Sequence, residues 1–142
     1  MILVDTGPLV ALFDRAHAAH DRCAGVLRHL REPLKTTTPV LTEAFYVLGP
    51  ASREADRLRD FIERRGLSLW FFDDRSLVRA FELMEIYADH PMDLADASLV
   101  AAAESLGTRT VFTVDRRDFE TYRVRRGHRH YPMDIVPAGT GR

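Results

Sequence analysis

The sequence predicts an α/β protein, a three-layer α/β/α sandwich with a central, mainly parallel sheet. Short apolar runs of strand length alternate with longer segments whose apolar residues recur at helical spacing. Strands separated by helices favour parallel pairing, because a parallel crossover needs a connection of helix length. No linker or low-complexity segment interrupts the 142 residues, so we predict a single domain over residues 1–142.

The first half of the chain contains three predicted strands. Ile2 to Val4 is an apolar strand that ends in the turn formers Asp5 to Pro8. Pro8 is expected to open the first helix, because a proline at that position lacks an N–H that would be unpaired anyway. The next predicted elements are a helix over 17–30, a strand over 34–38, helices over 39–48 and 53–65, and a strand over 67–72.

The second half continues the alternation. A helix is predicted over 76–87, and the clearest helix is Asp93 to Leu106, with an acidic first turn and Gly107 as its stop signal. Thr110 to Val114 is a strong strand prediction. A short helix near Phe119 and a strand around 134–136 complete the prediction.

Composition narrows the function classes. The net charge of −1 does not indicate a general binder of polyanions, and no apolar run approaches the roughly 18 residues that cross a bilayer. The first residues lack the basic and long apolar regions of a signal peptide, so we predict a cytoplasmic protein with no membrane partner. The single cysteine, Cys23, excludes an internal disulfide and a cysteine-rich metal site, and it is expected to be inert core.

Positive charge is unevenly distributed along the chain. Of the 20 basic residues 19 are arginine, and only Lys35 is lysine. From Arg109 to Arg142 there are eight arginines against four acids. Arginine suits bidentate contact with phosphate, but a solvated surface accounts for the same composition, and the sequence leaves both open.

Acidic side chains fall where the predicted strands end and the predicted helices begin. Asp5 and Asp115 each follow a strand, Asp96 lies in the first turn of the Asp93 helix, and Glu43 lies in the first turns of the helix over 39–48. Ligands of open parallel sheets bind at the carboxyl edge of the strands. We therefore expect these four carboxylates to converge on that edge.

Converging carboxylates repel one another, and a divalent cation relieves the repulsion. Ligands that are all oxygen suit Mg²⁺ or Mn²⁺, and two ions about 4 Å apart would suit in-line displacement at phosphorus. Each acid could also serve only as a turn or capping residue, and Asp73 and Asp74, which follow another strand, are accounted for by capping. Only the joint pattern points to a site.

Four segments in order resemble the PIN-domain family, and in particular VapC-type toxin ribonucleases. The resemblance covers roughly residues 1–136 and is carried by Met1 to Leu9, Thr38 to Ala44, Asp93 to Ala101 and Thr110 to Phe119. It implies metal-dependent endonucleolysis of RNA, a homodimer and inhibition by a cognate antitoxin. Hydrolysis by water would leave a 5′-phosphate and a 3′-hydroxyl.

The resemblance assigns roles by position. Asp5, Glu43, Asp96 and Asp115 would be the catalytic metal ligands. Thr6 and Thr113 would orient carboxylates or water, Asp93 and Asp118 are further acids near the site, and Arg116 and Arg117 would contact RNA. Apolar helical faces around Phe45, Tyr46 and Phe61 suit a dimer interface or an ordinary core. His90 is near the site in sequence and is interpreted as structural.

Other classes fit less well. A phospho-accepting receiver domain needs a late lysine and an acidic pair after the first strand, and the chain has neither. An aspartyl phosphatase needs a second acid two residues after the first, where Gly7 stands. A non-catalytic PIN-like module that binds RNA or protein is the remaining alternative.

Overall fold

The computed structural model describes residues 1–137, and Ala138 to Arg142 lie outside the described residues. The helices are α1 (Thr6–Phe13), α2 (His20–His29), α3 (Thr38–Leu48), α4 (Arg53–Glu63), α5 (Asp74–Ile86), α6 (Leu94–Leu106) and α7 (Arg116–Thr121). The strands are β1 (Ile2–Val4), β2 (Leu34–Thr37), β3 (Ser68–Trp70), β4 (Thr110–Phe112), β5 (Arg123–Arg126), β6 (Arg129–Pro132) and β7 (Asp134–Val136). None of the described helices is long and apolar enough to cross a bilayer.

Five of these strands form one sheet in the order β3-β2-β1-β4-β7, and every pairing is parallel. The strand order moves one way from β1 to β3 and the other way from β4 to β7. Because parallel crossovers are right-handed, this reversal sends the helices of the two halves to opposite faces of the sheet. The predicted α/β/α fold class is confirmed.

The central strands and α6 form the core. All three residues of β1 are buried, and Leu99, Val100 and Phe112 are fully enclosed. Burial of both faces explains why β1 and β4 read as continuous apolar runs instead of alternating polar and apolar residues. β1 pairs with β2 on one side and β4 on the other, so residues that follow β1 and β4 emerge side by side.

Several element ends differ from the prediction. Helix α1 begins at Thr6 instead of Pro8, because the Asp5 side chain accepts a hydrogen bond from the Thr6 N–H and caps the helix. β4 ends at Phe112, two residues before the predicted end. The predicted stop of α6 at Gly107 is confirmed, since this glycine adopts the left-handed conformation with φ of 70°.

The antiparallel pair β5–β6 is not predicted by the sequence pattern. We call residues 123–132 the basic ribbon. The segment is rich in arginine and histidine and lacks the apolar alternation from which strands are recognised. Val124 is its buried residue and packs within the core, while the ribbon turns at Gly127 with φ of 61°.

The ribbon is tied to helix α6 by a nearly enclosed ion pair. The Arg79 guanidinium donates two hydrogen bonds to the Glu104 carboxylate, at 2.8 and 3.0 Å. Glu104 Oε2 also accepts the Arg125 backbone N–H at 2.8 Å. A single carboxylate therefore joins α5, α6 and β5.

Candidate active site

Asp5 lies at the centre of the carboxyl edge, directly after β1. Its side chain is 8% exposed, and its two oxygens accept hydrogen bonds from the Thr6 N–H and the Thr113 hydroxyl, both at 2.8 Å. Burial raises the pKa of Asp5 to about 6 although these hydrogen bonds oppose the shift, and the charges of Glu43 and Asp115 raise it further. The negative charges of three predicted ligands therefore act on one another.

Glu43 is exposed at the surface. It lies on α3, and its Oε1 accepts a hydrogen bond from the Thr6 hydroxyl at 2.7 Å. Thr6 thus contacts Asp5 through its backbone and Glu43 through its side chain. The capped first turn of α1 therefore brings the two carboxylates together.

Asp96 occupies the first turn of α6. Its backbone N–H donates to Asp93, which caps the helix, and its Oδ2 accepts the Tyr122 hydroxyl at 2.7 Å. Burial raises the pKa of Asp96 to about 7, with further increases from the charges of Asp93, Asp5 and Asp118. The first and third predicted ligands therefore lie on the same side of the molecule.

Asp115 completes the acidic cluster at the start of α7. Its N–H donates to the Thr113 hydroxyl at 2.9 Å, and that hydroxyl donates in turn to Asp5. Burial and the neighbouring Asp118 raise the pKa of Asp115. Asp118 itself contacts His90, with Nε2 and Oδ1 2.6 Å apart.

Gly7 in α1 packs closely against the Val114 side chain in the loop after β4. A methyl group on Gly7 would lie 2.5 Å from a methyl of Val114, which is closer than carbon atoms can pack. Val114 immediately precedes Asp115, and Gly7 follows Asp5 by two residues. The absence of a side chain at Gly7 therefore allows the start of α1 and the loop before Asp115 to approach each other closely.

Two groups at the site are missed or set aside by sequence reasoning. Tyr122 is fully buried, and its ring makes edge contacts with Tyr87, His90 and Phe119. A buried tyrosine needs a hydrogen-bond partner for its hydroxyl, and this general rule is the only one by which Tyr122 could have been linked to the site from the sequence. His90 is interpreted from the sequence as structural, yet it bonds directly to an acid of the cluster.

The two arginines predicted to contact RNA have different environments. Arg116 donates to the Pro137 carbonyl at 2.7 Å and lies 3.4 Å from Glu120, so its guanidinium already has partners within the chain. Arg117 is exposed. The geometry leaves Arg117 the better placed of the two for an external phosphate.

The donor set suits a hard divalent cation. All four predicted ligands offer oxygen, and a bound cation would stabilise the ionised forms of Asp5 and Asp96, whose pKa values are raised by burial and, to a lesser degree, by neighbouring carboxylates. Within residues 1–137, no three acidic, histidine or cysteine side chains form a ready-made metal site. Ion binding would therefore require some carboxylates to turn from the rotamers seen here.

A sequence model described as the PIN domain matches residues 2–125. The chain belongs to the PIN-domain family. This PIN domain is 27% identical over 139 residues to ribonuclease VapC26 of Mycobacterium tuberculosis, across 96% of this chain and 100% of that protein.

Solved structures share the fold at low sequence identity. Mycobacterium tuberculosis VapC20, described as a toxin that cleaves the sarcin–ricin loop, superposes with a TM-score of 0.71 at 18% identity, over 78% of this chain and 87% of that one. The toxin–antitoxin complex from Klebsiella pneumoniae gives a TM-score of 0.67 at 17% identity, over 85% and 92%. These likenesses establish that the PIN domain has the fold of those proteins.

The Tyr122 hydroxyl is expected to position Asp96 in this PIN domain. Tyr122→Phe removes only that hydroxyl and keeps the aromatic packing, so the fold should persist while Mn²⁺ affinity falls by about 10- to 100-fold. Loss of the donor also raises the pKa of Asp96, because the hydrogen bond favours the ionised form. Calorimetric titration with Mn²⁺ at several pH values measures both effects, and Tyr87→Phe is the matched control. Unchanged affinity at every pH would contradict the assigned role.

The metal-free PIN domain should lose stability as the pH rises. The pKa values of Asp5 and Asp96 are raised from 3.8 to about 6 and about 7, so the folded state binds more protons than the unfolded state between these values. The stability that each group contributes is greatest below its unfolded pKa and is lost as the pH rises through its folded pKa. Each group loses about 1.4 kcal/mol for each pH unit between its unfolded and folded pKa values. Thermal melts across this range should show the decrease, and Mg²⁺ should offset it at the alkaline end. A melting temperature that rises steadily with pH would refute the assignment.

Proposed function

We propose that this chain is a divalent-metal-dependent endoribonuclease that hydrolyses RNA phosphodiester bonds, and that it is the toxin of a toxin–antitoxin pair. The observation that carries the proposal is the convergence of Asp5, Glu43, Asp96 and Asp115 at the carboxyl edge of the sheet. The full-length relative VapC26 is a ribonuclease, which supports RNA as the substrate.

Mg²⁺ or Mn²⁺, held by these four carboxylates, would polarise the phosphodiester and activate water. The chain itself contributes fixed carboxylates: Thr6 and Thr113 hold Asp5 and Glu43 in place, and Tyr122 holds Asp96. Asp93 and Asp118 add negative charge at the edge of the cluster. A surface cavity of about 390 Å³ lies between the first turns of α3 and α6, and Glu43 and Asp93 are among its lining residues.

Analysis of the cleaved RNA ends tests the reaction. Purified protein with Mn²⁺ should produce 5′-phosphate and 3′-hydroxyl ends, and an excess of EDTA should abolish cleavage. Restoring Mn²⁺ after chelation serves as the control for irreversible damage. Cleavage that survives chelation, or ends carrying a 2′,3′-cyclic phosphate, would reject this function.

A non-catalytic PIN module is the second candidate, because the described side chains do not form a ready-made metal site. Calorimetric titration with Mn²⁺ separates the two candidates. Binding that disappears in the Asp5→Ala variant supports the nuclease, and the absence of binding to the wild type supports the module.

We also propose a cognate antitoxin and a homodimer as partners. The structural relative from Klebsiella pneumoniae is a toxin–antitoxin complex, which supports the first. Of the three aromatic residues predicted at a dimer interface, Tyr46 is 84% exposed, whereas Phe45 and Phe61 are partly buried against the core. Sedimentation of the wild type and a Tyr46→Ser variant tests the dimer.

A further inference from the structure

The basic ribbon carries four exposed arginines within ten residues. Arg123, Arg125, Arg126 and Arg129 all lie within it and are exposed, as are His128 and His130. No Asp or Glu occurs between Thr121 and Met133. The ribbon therefore presents positive charge without acidic neighbours in sequence.

Strand pairing places two arginines opposite each other, because Arg126 pairs with Arg129. Like charges directly opposite on antiparallel strands are destabilising, and a two-stranded ribbon is only marginally stable by itself. This arrangement destabilises the ribbon unless a bound ligand supplies negative charge.

The arginines of α4 behave differently. Arg59 lies within 4 Å of Asp56 and Glu63, at 3.5 and 3.7 Å, and Arg64 lies 3.0 Å from Asp60. Over residues 1–137, by contrast, no arginine of the basic ribbon forms an ion pair. Acidic neighbours therefore neutralise Arg59 and Arg64, whereas within the described chain the guanidinium groups of Arg123 and Arg126 bond only to backbone carbonyls and keep their charge uncompensated.

The basic ribbon is continuous with the acidic site. Tyr122, whose hydroxyl bonds to Asp96, immediately precedes it. From there the ribbon follows α6: the Arg125 N–H bonds to Glu104, and the Arg126 guanidinium bonds to the Gly107 carbonyl. Because α6 has 13 residues and is about 20 Å long, the ribbon leads from the acids at the first turn of this helix to its C-terminal end, a distance of several nucleotides.

We propose that the basic ribbon binds the phosphates of a single-stranded RNA that extends from the acidic site. The inference rests on the proposed nuclease function, which makes RNA the polyanion expected at the adjoining acids. Arginine offers both paired hydrogen bonds to phosphate and a planar surface on which unpaired bases stack. The PIN-domain match ends at residue 125, so β6 and the turn before it lie beyond the part shared with the family model.

The dependence of RNA binding on salt tests this proposal. Each phosphate contact with a single strand contributes about 0.7 to the slope of log affinity against log salt concentration. The triple variant Arg125→Gln/Arg126→Gln/Arg129→Gln should therefore lower the slope by about 2 and weaken binding by about tenfold at moderate salt. The probe is a short fluorescein-labelled single-stranded RNA, and EDTA is present so that no hydrolysis occurs.

The control variant is Arg53→Gln/Arg59→Gln/Arg64→Gln, which removes three arginine charges from α4 and the residue that follows it. It should bind RNA like the wild type. An unchanged slope in the ribbon variant, an equal loss in the control variant, or tighter binding of the wild type to duplex DNA of equal length would overturn the proposal.

Cleavage assays keep this proposal separate from the proposed function. In Mn²⁺ the ribbon variant should show a KM raised by about tenfold with kcat unchanged, because phosphate contacts remote from the reacting bond bind ground and transition states alike. A wild type that binds RNA through the ribbon but cleaves none would refute the nuclease and leave the ribbon proposal intact. Cleavage with the wild-type KM in the ribbon variant would refute the ribbon and leave the nuclease intact.

Discussion

Asp96→Asn is expected to reduce RNA cleavage by more than about a hundredfold, since replacing a group that merely supports a metal ligand already reduces activity by 10- to 100-fold. The folded structure should persist, because asparagine keeps the shape of the side chain and an oxygen for the Tyr122 hydroxyl. Without metal, the variant should melt at a higher temperature than the wild type near neutral pH, since it removes a carboxylate that burial and like charges destabilise. Cleavage assays and thermal melts measure the two effects.

Asp73→Asn provides the matched control. Asp73 also follows a strand and caps a helix, but its carboxylate bonds to Ser76 in a capping box on the edge-strand side of the sheet. Asparagine caps about as well as aspartate, so neither stability nor cleavage should change appreciably. Wild-type cleavage by Asp96→Asn, or an equal loss in both variants, would remove Asp96 from the site.

Glu104→Ala should destabilise the fold by about 3 kcal/mol, because it leaves the nearly enclosed Arg79 guanidinium without its principal partner. The variant also removes the acceptor of the Arg125 N–H, which should detach the basic ribbon from α6. Urea denaturation measures the first effect. Faster hydrogen exchange at the Arg125 amide, compared with amides of β1, measures the second.

Two further variants identify the cause. Glu85→Ala, at an exposed position on α5, should change stability by less than about 0.5 kcal/mol. Arg79→Met combined with Glu104→Leu replaces the pair by apolar groups and should recover much of the loss in stability, while the Arg125 amide still exchanges rapidly. Stability of Glu104→Ala equal to that of Glu85→Ala would show that the ion pair does not stabilise the fold, and unchanged exchange of the Arg125 amide in Glu104→Ala would show that Glu104 does not anchor the ribbon.

The sheet could be predicted from sequence because its strands are buried on both faces. A short apolar run such as Ile2 to Val4 is too brief for a buried helix and therefore indicates a strand, and the stop at Gly107 follows from its left-handed conformation. The ends of helices and strands are predicted less accurately, because side-chain contacts such as the capping of α1 by Asp5 decide where an element begins. The basic ribbon escaped prediction because charge, not apolar periodicity, dominates its sequence.

The acids of the site could be proposed from their places after strands and at helix starts. Their supporting contacts could not, because they join residues distant in the chain: Thr113 is 108 positions from Asp5, and Tyr122 is 26 from Asp96. No local pattern encodes such pairs. His90 illustrates the same limit, since its contact with Asp118 depends on the packing of an aromatic cluster.

Because of the contact between Gly7 and Val114, we expect that the acidic site can be distorted without altering any charged or polar side chain. A single added methyl, as in Gly7→Ala, would wedge the start of α1 away from the turn bearing Asp115. Shortening the opposing side chain with Val114→Ala should remove the steric clash. The double variant Gly7→Ala/Val114→Ala should therefore keep the site geometry that Gly7→Ala alone disrupts. The separation of the two acid-bearing segments therefore depends on steric fit at an uncharged position as well as on the acids.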